Sequence, residues 1–305
     1  MLIGIGKLRA HKERLAIVSL AVIAAVIWWQ ALSRGERTFS VWFLDVGQGD
    51  CMFLRTPSGR TVLVDGGGRS DKPYSDLMGM KVVTPILRRG AVNRIDVVVL
   101  THPHDDHVQG LVPVLRDFYV GMVLDPGIPH GSESYRRFLS AIEAKRIPYR
   151  CATRGQVIDF GDGVRAEVLH PPAVRLSGTK DDTNNNSIVL RLTYGNSSIL
   201  LTGDADAEAE GDILASGVRI RSDVLKVAHH GSNSATSDEW LDAVRARLAV
   251  ISAGRNNPFG HPSRGVLSRL SARRIEIRRT DRDGAVVVKF SPSAFSIQTT
   301  VPSAK

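Results

Sequence analysis

Three histidines and two aspartates crowd seven residues, Thr101-His102-Pro103-His104-Asp105-Asp106-His107, at the end of the apolar run IDVVVLT (95–101). Imidazole nitrogens suit borderline transition metals, and carboxylate oxygens suit the same ions or harder ones. With the spacing H-x-H-x-D-H, His102 and His104 can grip one divalent ion while Asp106 and His107 reach a second. Further donors close other runs. Asp204 ends SSILLTGD (197–204), where its carboxylate could bridge both ions, and His229 and His230 end DVLKVAHH (223–230). One of that pair is expected to complete the second ion's shell, the other to brace a ligand or touch substrate. Asp65 in TVLVDGGG (61–68) is expected to orient the histidine-rich loop by accepting backbone hydrogen bonds, with glycines 66–68 allowing close chain approach. His261, in the polar loop NNPFGHP (256–262), is a candidate to donate a proton to a leaving oxygen or to bind a phosphate.

These residues need strand ends to hold them. FSVWFLDV (39–46), CMFLRT (51–56) and TVLVDGGG read as successive strands joined by tight turns. Residues 77–89 read as a helix that Pro85 should kink or stop, and IDVVVLT reads as a strand buried on both faces. In the second half RAEVLHP (165–171), SIVLRLTYG (187–195) and SSILLTGD are strands, the last two forming a hairpin across Gly195-Asn196. Then come a helix over 206–216, the strand DVLKVAHH, a helix over 237–247 and a strand over 248–254. Helices alternate with strands in both halves, which predicts an α/β fold of sheets covered outside by helices.

The 305 residues carry a formal charge of +9. Lys7, Arg9, Lys12, Arg14, Arg34 and Arg37 against Glu13 and Glu36 place +4 of it before Thr38, leaving +5 for the rest. That balance favours polyanions or an acidic membrane surface, since basic partners gain from counterion release. Cys51 and Cys151 stand far apart with no C-x-x-C, which excludes a thiolate zinc site. Two buried free thiols are expected, or one disulfide if the domain is exported.

Residues 15–32, LAIVSLAVIAAVIWWQAL, carry no charge and approach the roughly 20 residues needed to cross a bilayer. Trp28 and Trp29 suit its interface. Four basic residues precede the run within Lys7–Arg14 and two follow it, so the positive-inside bias leaves the N-terminus in the cytoplasm. The expected organisation is a basic N-terminus (1–14), a transmembrane anchor (15–32), a linker (33–38), a hydrolase domain (39–292) on the outer side of the inner membrane, and a C-terminal strand or tail (293–305). The alternative is a signal peptide cleaved near Ala31 and Ser33.

With these residues placed, the chain resembles the metallo-β-lactamase superfamily and, more closely, the C-terminal hydrolase domain of ComEC/Rec2 DNA-uptake proteins. The resemblance covers residue 39 to about 290. It rests, in order, on LDVGQGD (44–50), LVDGG (63–67), THPHDDH (101–107), NNNSIVL (184–190), LLTGDA (200–205), LKVAHHGS (225–232) and NPFGHP (257–262). It implies an αββα sandwich with the metal centre in a cleft at one edge of the two sheets. It also implies His102 and His104 on one metal, Asp106, His107 and His229 on the other, and Asp204 bridging. Ser232 is expected behind a ligand or against substrate. Many members carry a further histidine before the strand equivalent to SIVLRL. Here Asp182, Thr183, Asn184 and Ser187 stand there, and Asn184 and Ser187 match the N-x-x-S of the ComEC-like pattern. Fewer imidazoles shift the expected occupant from zinc toward manganese.

The expected function is therefore phosphodiester hydrolysis of nucleic acid, with DNA favoured, through two divalent ions, zinc or manganese, and a metal-bridging hydroxide. Asp106 and Asp204 orient the nucleophile, and His261 or His230 assists the leaving group. No nucleotide cofactor is expected. The rivals are a hydrolase of a lactone or a cell-wall phosphoester, and a non-catalytic module that binds nucleic acid or a partner. Only a nuclease should weaken steeply with added salt.

Overall fold

The computed structural model describes residues 38–69 and 75–301, together with residues 19, 20 and 23. The basic N-terminus 1–14, the linker to residue 37 and all of the expected anchor except residues 19, 20 and 23 lie outside the described residues. Among the described residues no helix is long and apolar enough to cross a membrane.

The apolar runs of the first half become β1 (Phe39–Phe43), β2 (Met52–Arg55) and β3 (Thr61–Val64), an antiparallel meander with Phe43 opposite Met52 and Met52 opposite Val64. Residues 79–89 are helical as expected: a π-helical turn at Gly79–Val83 runs into α1 (Thr84–Arg89). Pro85 does not stop it: the helix continues to Arg89, and the widened π turn stands just before the proline. β4 (Arg94–Ile95) leads to β5 (Val97–Val99), which lies parallel to β3 with all three valines buried. The short α2 (Asp105–Val108) and α3 (Leu111–Asp117) follow, then β6 (Tyr119–Val120), which pairs with β4, and β7 (Val123–Asp125). α4 (Glu133–Lys145) starts at Ser132, whose hydroxyl accepts from Tyr135 N, and β8 (Tyr149–Cys151) ends this half.

The second half builds β9 (Val157–Asp159), β10 (Val164–His170), β11 (Val189–Tyr194) and β12 (Ser197–Leu201) as antiparallel neighbours. β11 and β12 turn at Gly195-Asn196, as expected, with Gly195 at φ 60°. α5 (Ala207–Ala215), β13 (Val224–Lys226), α6 (Asp238–Val244), β14 (Leu248–Ile251), α7 (Arg264–Ala272) and β15 (Glu276–Arg279) then alternate, and the strands run parallel. After α8 (Thr280–Asp283), β16 (Val286–Phe290) and β17 (Phe295–Thr299) return to the first sheet, where β16 pairs with β1. The segment expected as a C-terminal strand or tail is thus the edge of that sheet.

The sheets run β17-β16-β1-β2-β3-β5-β7-β8 and β15-β14-β13-β12-β11-β10-β9. Val41, Val64, Val99, Leu190, Leu201 and Val250 belong to the core between them. A second core packs the outer face of the first sheet against α1, α3 and α4, and a third packs the other sheet against α5, α6 and α7. The expected αββα layering is therefore present. Each fully buried Val, Leu or Phe contributes about 1.5–3 kcal/mol, so these three cores hold the strand ends rigidly. Cys51 is buried, whereas Cys151 lies exposed on β8, and both are free thiols rather than a buried pair or a disulfide.

Candidate metal centre

The strand IDVVVLT stops at Val99, and the chain passes through Thr101 into α2 with its polar side chains turned toward the ends of β3, β12 and β13. Asp65 fixes this crossing. Its carboxylate accepts from Thr101 N (2.8 Å) and Thr101 Oγ1 (2.7 Å), and lies 2.9 Å from His107 Nδ1. With Nδ1 committed to Asp65, His107 presents Nε2 to the cleft. His230 is held alike: Nδ1 donates to Ser252 O at 3.1 Å and Nε2 points inward.

One half of the centre is dense. Asp106, His107, Asp204 and His230 each offer a donor atom, all within 4.8 Å of one another. His107 Nε2 and His230 Nε2 lie 3.3 and 3.2 Å from Asp204 Oδ2, and 3.9 and 3.4 Å from Asp106 Oδ2. Donors at about 2.0–2.2 Å from a tetrahedral ion stand roughly 3.4 Å apart, which is this spacing. His107 Nε2 and His230 Nε2 are buried and make no hydrogen bond among the described residues. An orphaned buried nitrogen is costly unless an ion or a proton takes its lone pair. The donor set therefore fits a divalent metal.

The other half is sparse. His102 Nε2 and His104 Nδ1 face each other at 3.1 Å, and Asp204 Oδ2 lies 4.0 Å from His102 Nε2. Where a third imidazole would complete this half, Asn184 is buried on the cleft wall, and its Oδ1 has no hydrogen-bond partner among the described residues. Its neighbours do other work: Asn185 Oδ1 accepts from Ala209 N in α5, and Asn186 ties down the loop through Leu176 and Asp182. Ser187 Oγ accepts from Asp204 N at 3.2 Å and so seats the backbone that carries this carboxylate.

Behind the centre lie two charges that reading the sequence left without a role. Lys226, 0% exposed, ion-pairs Asp50, donates to Gly203 O at 2.9 Å and stands 3.7 Å from Asp204 Oδ1. Burial opposes its charge, but Asp50 and Asp204 outweigh that and raise its pKa. A lysine inside the otherwise apolar VLKVA (224–228) was the available signal, as was Asp50 closing LDVGQGD. Burial alone would raise Asp106 and Asp204, yet His107 and His230 hold both below the usual carboxylate range. Against the pull of burial, the same carboxylates raise His107 well above its ordinary value and His230 to about 10.

The strand expected over 223–230 ends at Lys226. His229 and His230 lie in a tight turn with left-handed backbone, φ 47° and 54°. The turn separates their side chains: His230 joins the dense cluster, and His229 stands at the rim, 25% exposed, with Nδ1 on Asp206 (2.9 Å) and Nε2 3.9 Å from Asp204 Oδ2. His230, not His229, thus belongs to the cluster of candidate donors. Ser232 N donates to His229 O at 2.8 Å, and its hydroxyl meets that of Ser234, which bonds Asp206 at 2.6 Å. His261 lies beside His229, ring centroids 5.8 Å apart. Burial, with the charges of His230 and His229, pushes it down to about 4, so an uncharged ring suits accepting rather than donating a proton at neutral pH. His229, Asn184, His104 and Asp204 line an open cleft of about 410 Å³ together with His130 and Asp181, neither singled out by its sequence context.

Residues 44–255 match the family described as the metallo-beta-lactamase superfamily. The chain is 32% identical to ComE operon protein 3 of Bacillus subtilis over 85% of its own length and 33% of that protein's. It is 31% identical to Recombination protein 2 of Haemophilus influenzae over 90% of its length and 31% of that protein's. It thus spans about a third of the curated relatives it matches. Among solved structures, the metallo-beta-lactamase fold protein YhfI from Bacillus subtilis superposes with a TM-score of 0.52 at 11% identity, covering 83% of this chain and 100% of YhfI.

Proposed function

Because the chain belongs to the metallo-β-lactamase superfamily, we propose that it is a metal-dependent phosphodiesterase whose substrate is nucleic acid, DNA in the first place. The observation that carries the reading is the convergence of Asp106, His107, Asp204 and His230, with unpartnered nitrogens, beside an open cleft. Support for DNA comes from similarity to proteins named for competence and recombination, and from the +5 charge after Arg37. Residues 15–32 favour tethering the domain to the outer face of the inner membrane.

Two divalent ions, zinc or manganese, held by His102, His104, Asp106, His107, Asp204 and His230 would neutralise phosphate oxygens and make water nucleophilic at neutral pH. The protein's own part is positional. Asp65 and Ser252 O fix the two buried imidazoles so that each offers Nε2. His230 and His107 keep Asp204 anionic, Lys226 stands 3.7 Å behind it, and Ser187 seats its backbone. Burial lowers the pKa of His229, but the bond to Asp206 and the charge of Asp204 raise it more, so Nε2 can carry a proton to a leaving oxygen at the rim. His229 thereby takes the role the sequence offered to His261 or His230.

The test is an assay of the purified full chain on single- and double-stranded DNA and on bis-p-nitrophenyl phosphate, with manganese, zinc or chelator. Metal-dependent diester cleavage that falls with salt is expected for DNA. Turnover of a lactone or a choline ester with a flat salt response, and no diester cleavage, overturns the reading.

A further inference from the structure

Residues 255–282 hold eight arginines against Glu276 and Asp281, a net +6 within a domain whose residues after Arg37 sum to +5. The fold sorts these arginines. Arg269 donates to the carbonyls of Thr236 and Ala235, Arg273 pairs Asp238 and Asp242, Arg278 pairs Glu276, and Arg279 pairs Asp281. Arg255, Arg264, Arg274 and Arg282 are exposed and have no ion pair among the described residues, and all of them but Arg274 share one surface. These three line one open groove of about 840 Å³, whose only carboxylate among the lining residues, Asp281, is taken by Arg279. Asp281 O accepts from Arg255 Nε, which fixes that side chain and leaves its terminal amines free.

The groove adjoins the metal cleft. His261 lines the groove and Phe259 lines the cleft, and their rings stack with centroids 5.7 Å apart. Phe259 is 57% exposed, an aromatic face set between the two depressions. A small ester needs neither feature. A basic track beside an exposed aromatic is what an unpaired strand uses, its phosphates on arginines and a base on the ring.

We propose that the Arg255–Arg264–Arg282 groove is a binding site for the phosphates of a single nucleic-acid strand, flanking the scissile position, with Phe259 stacking a base between groove and metal cleft. The inference rests on the phosphodiesterase reading and narrows its substrate to an extended, unpaired one.

The test uses the full chain and a triple variant, Arg255→Ala, Arg264→Ala and Arg282→Ala, with Phe259→Ala beside it. Binding of a fluorescent 12-nucleotide strand is followed by anisotropy without added metal, so that it is read apart from cleavage. The triple variant is expected to bind at least tenfold more weakly at moderate salt, with the log–log salt slope flatter by about 2, the share of three phosphate contacts to a single strand. With metal, its loss of kcat/KM on the strand exceeds its loss on bis-p-nitrophenyl phosphate by tenfold or more. Phe259→Ala weakens single-strand binding more than duplex binding. Unchanged binding and salt slope overturn the groove even if the wild type cleaves DNA, which leaves the phosphodiesterase reading standing. Groove-dependent binding without metal-dependent cleavage does the reverse. Loss of binding to anionic phosphatidylglycerol vesicles, with strand binding intact, assigns the arginines to a membrane surface and overturns the proposal.

Discussion

The two halves of the candidate metal centre meet at Asp204 and differ in how their donors are arranged. Around Asp106, His107 and His230 the two imidazoles each have a hydrogen bond fixing the far ring nitrogen, and the donors are already at the spacing an ion requires. Around His102 and His104 two imidazoles converge, His104 is partly exposed, and Asn184, its amide oxygen unpartnered among the described residues, lines the same cleft. Prearranged anionic donors bind tightly because little reorganisation accompanies binding, whereas a neutral amide oxygen adds little charge and prefers harder ions. The dense half should therefore keep its ion through purification. The sparse half should fill only as metal is supplied.

The largest effect is expected where the halves meet. Asp204→Asn should lower metal-dependent diester turnover by on the order of 10³-fold or more, and should reduce bound metal in both halves, measured by elemental analysis of the same sample. Full metal content in that variant would break the idea of a shared carboxylate. Next come the adjacent histidines. His230→Ala should empty the dense half and lower turnover at least about a hundredfold, whereas His229→Ala should keep the metal and lose about tenfold, mostly in kcat. The opposite pattern of metal content would return the ligand role to His229.

Smaller changes sharpen the contrast. Asn184→His should supply the sparse half with a third imidazole, tightening zinc there by roughly 10–100-fold and lowering the manganese-to-zinc activity ratio, read by competition titration. Equal ratios in variant and wild type would show that Asn184 does not face the ion.

The mildest effect concerns pH. In metal-free protein, His230 is raised from 6.5 to about 10, so its contribution to stability is complete below pH 6.5 and is lost as pH climbs toward 10. Asp106 and Asp204 are depressed, so their contribution is present above 3.8 and is lost as pH falls further. Chelated protein should melt at steadily lower temperature from pH 6.5 to 9, while the increment in Tm produced by added metal grows, because the ion displaces those protons. Scanning calorimetry in chelator and in manganese checks this; parallel curves would contradict it.

The histidine-rich loop was legible because its donors are neighbours in sequence, and H-x-H-x-D-H carries its meaning in spacing alone. The layer order was legible too, since runs such as IDVVVLT and SSILLTGD announce strands buried on both faces. The choice between His229 and His230 was not. Alternation along DVLKVAHH continues the strand to residue 230, while the chain leaves it after Lys226 and turns through two left-handed residues that swap the expected facing. Lys226 and Asp50 were missed for another reason: sequence shows that a lysine sits in an apolar run, not that an aspartate some 180 residues away lies against it. The helix Glu133–Lys145 could have been read from its Ser132 cap and the spacing of Tyr135, Phe138 and Ile142. The arginine groove was hidden because charge counts do not distinguish arginines that are paired from those that are free.

The pairing of β1 with β16 has a consequence for how the protein is made. Phe39 lies opposite Phe290, partners about 250 residues apart, so β1 must wait for β16 to be synthesised before that edge is covered. Contacts of such long range close slowly and leave intermediates with unpaired edges. A nascent chain halted anywhere before residue 286 should therefore hold its donor-bearing loops on an unfinished sheet, with the β1 edge open to pairing with another chain.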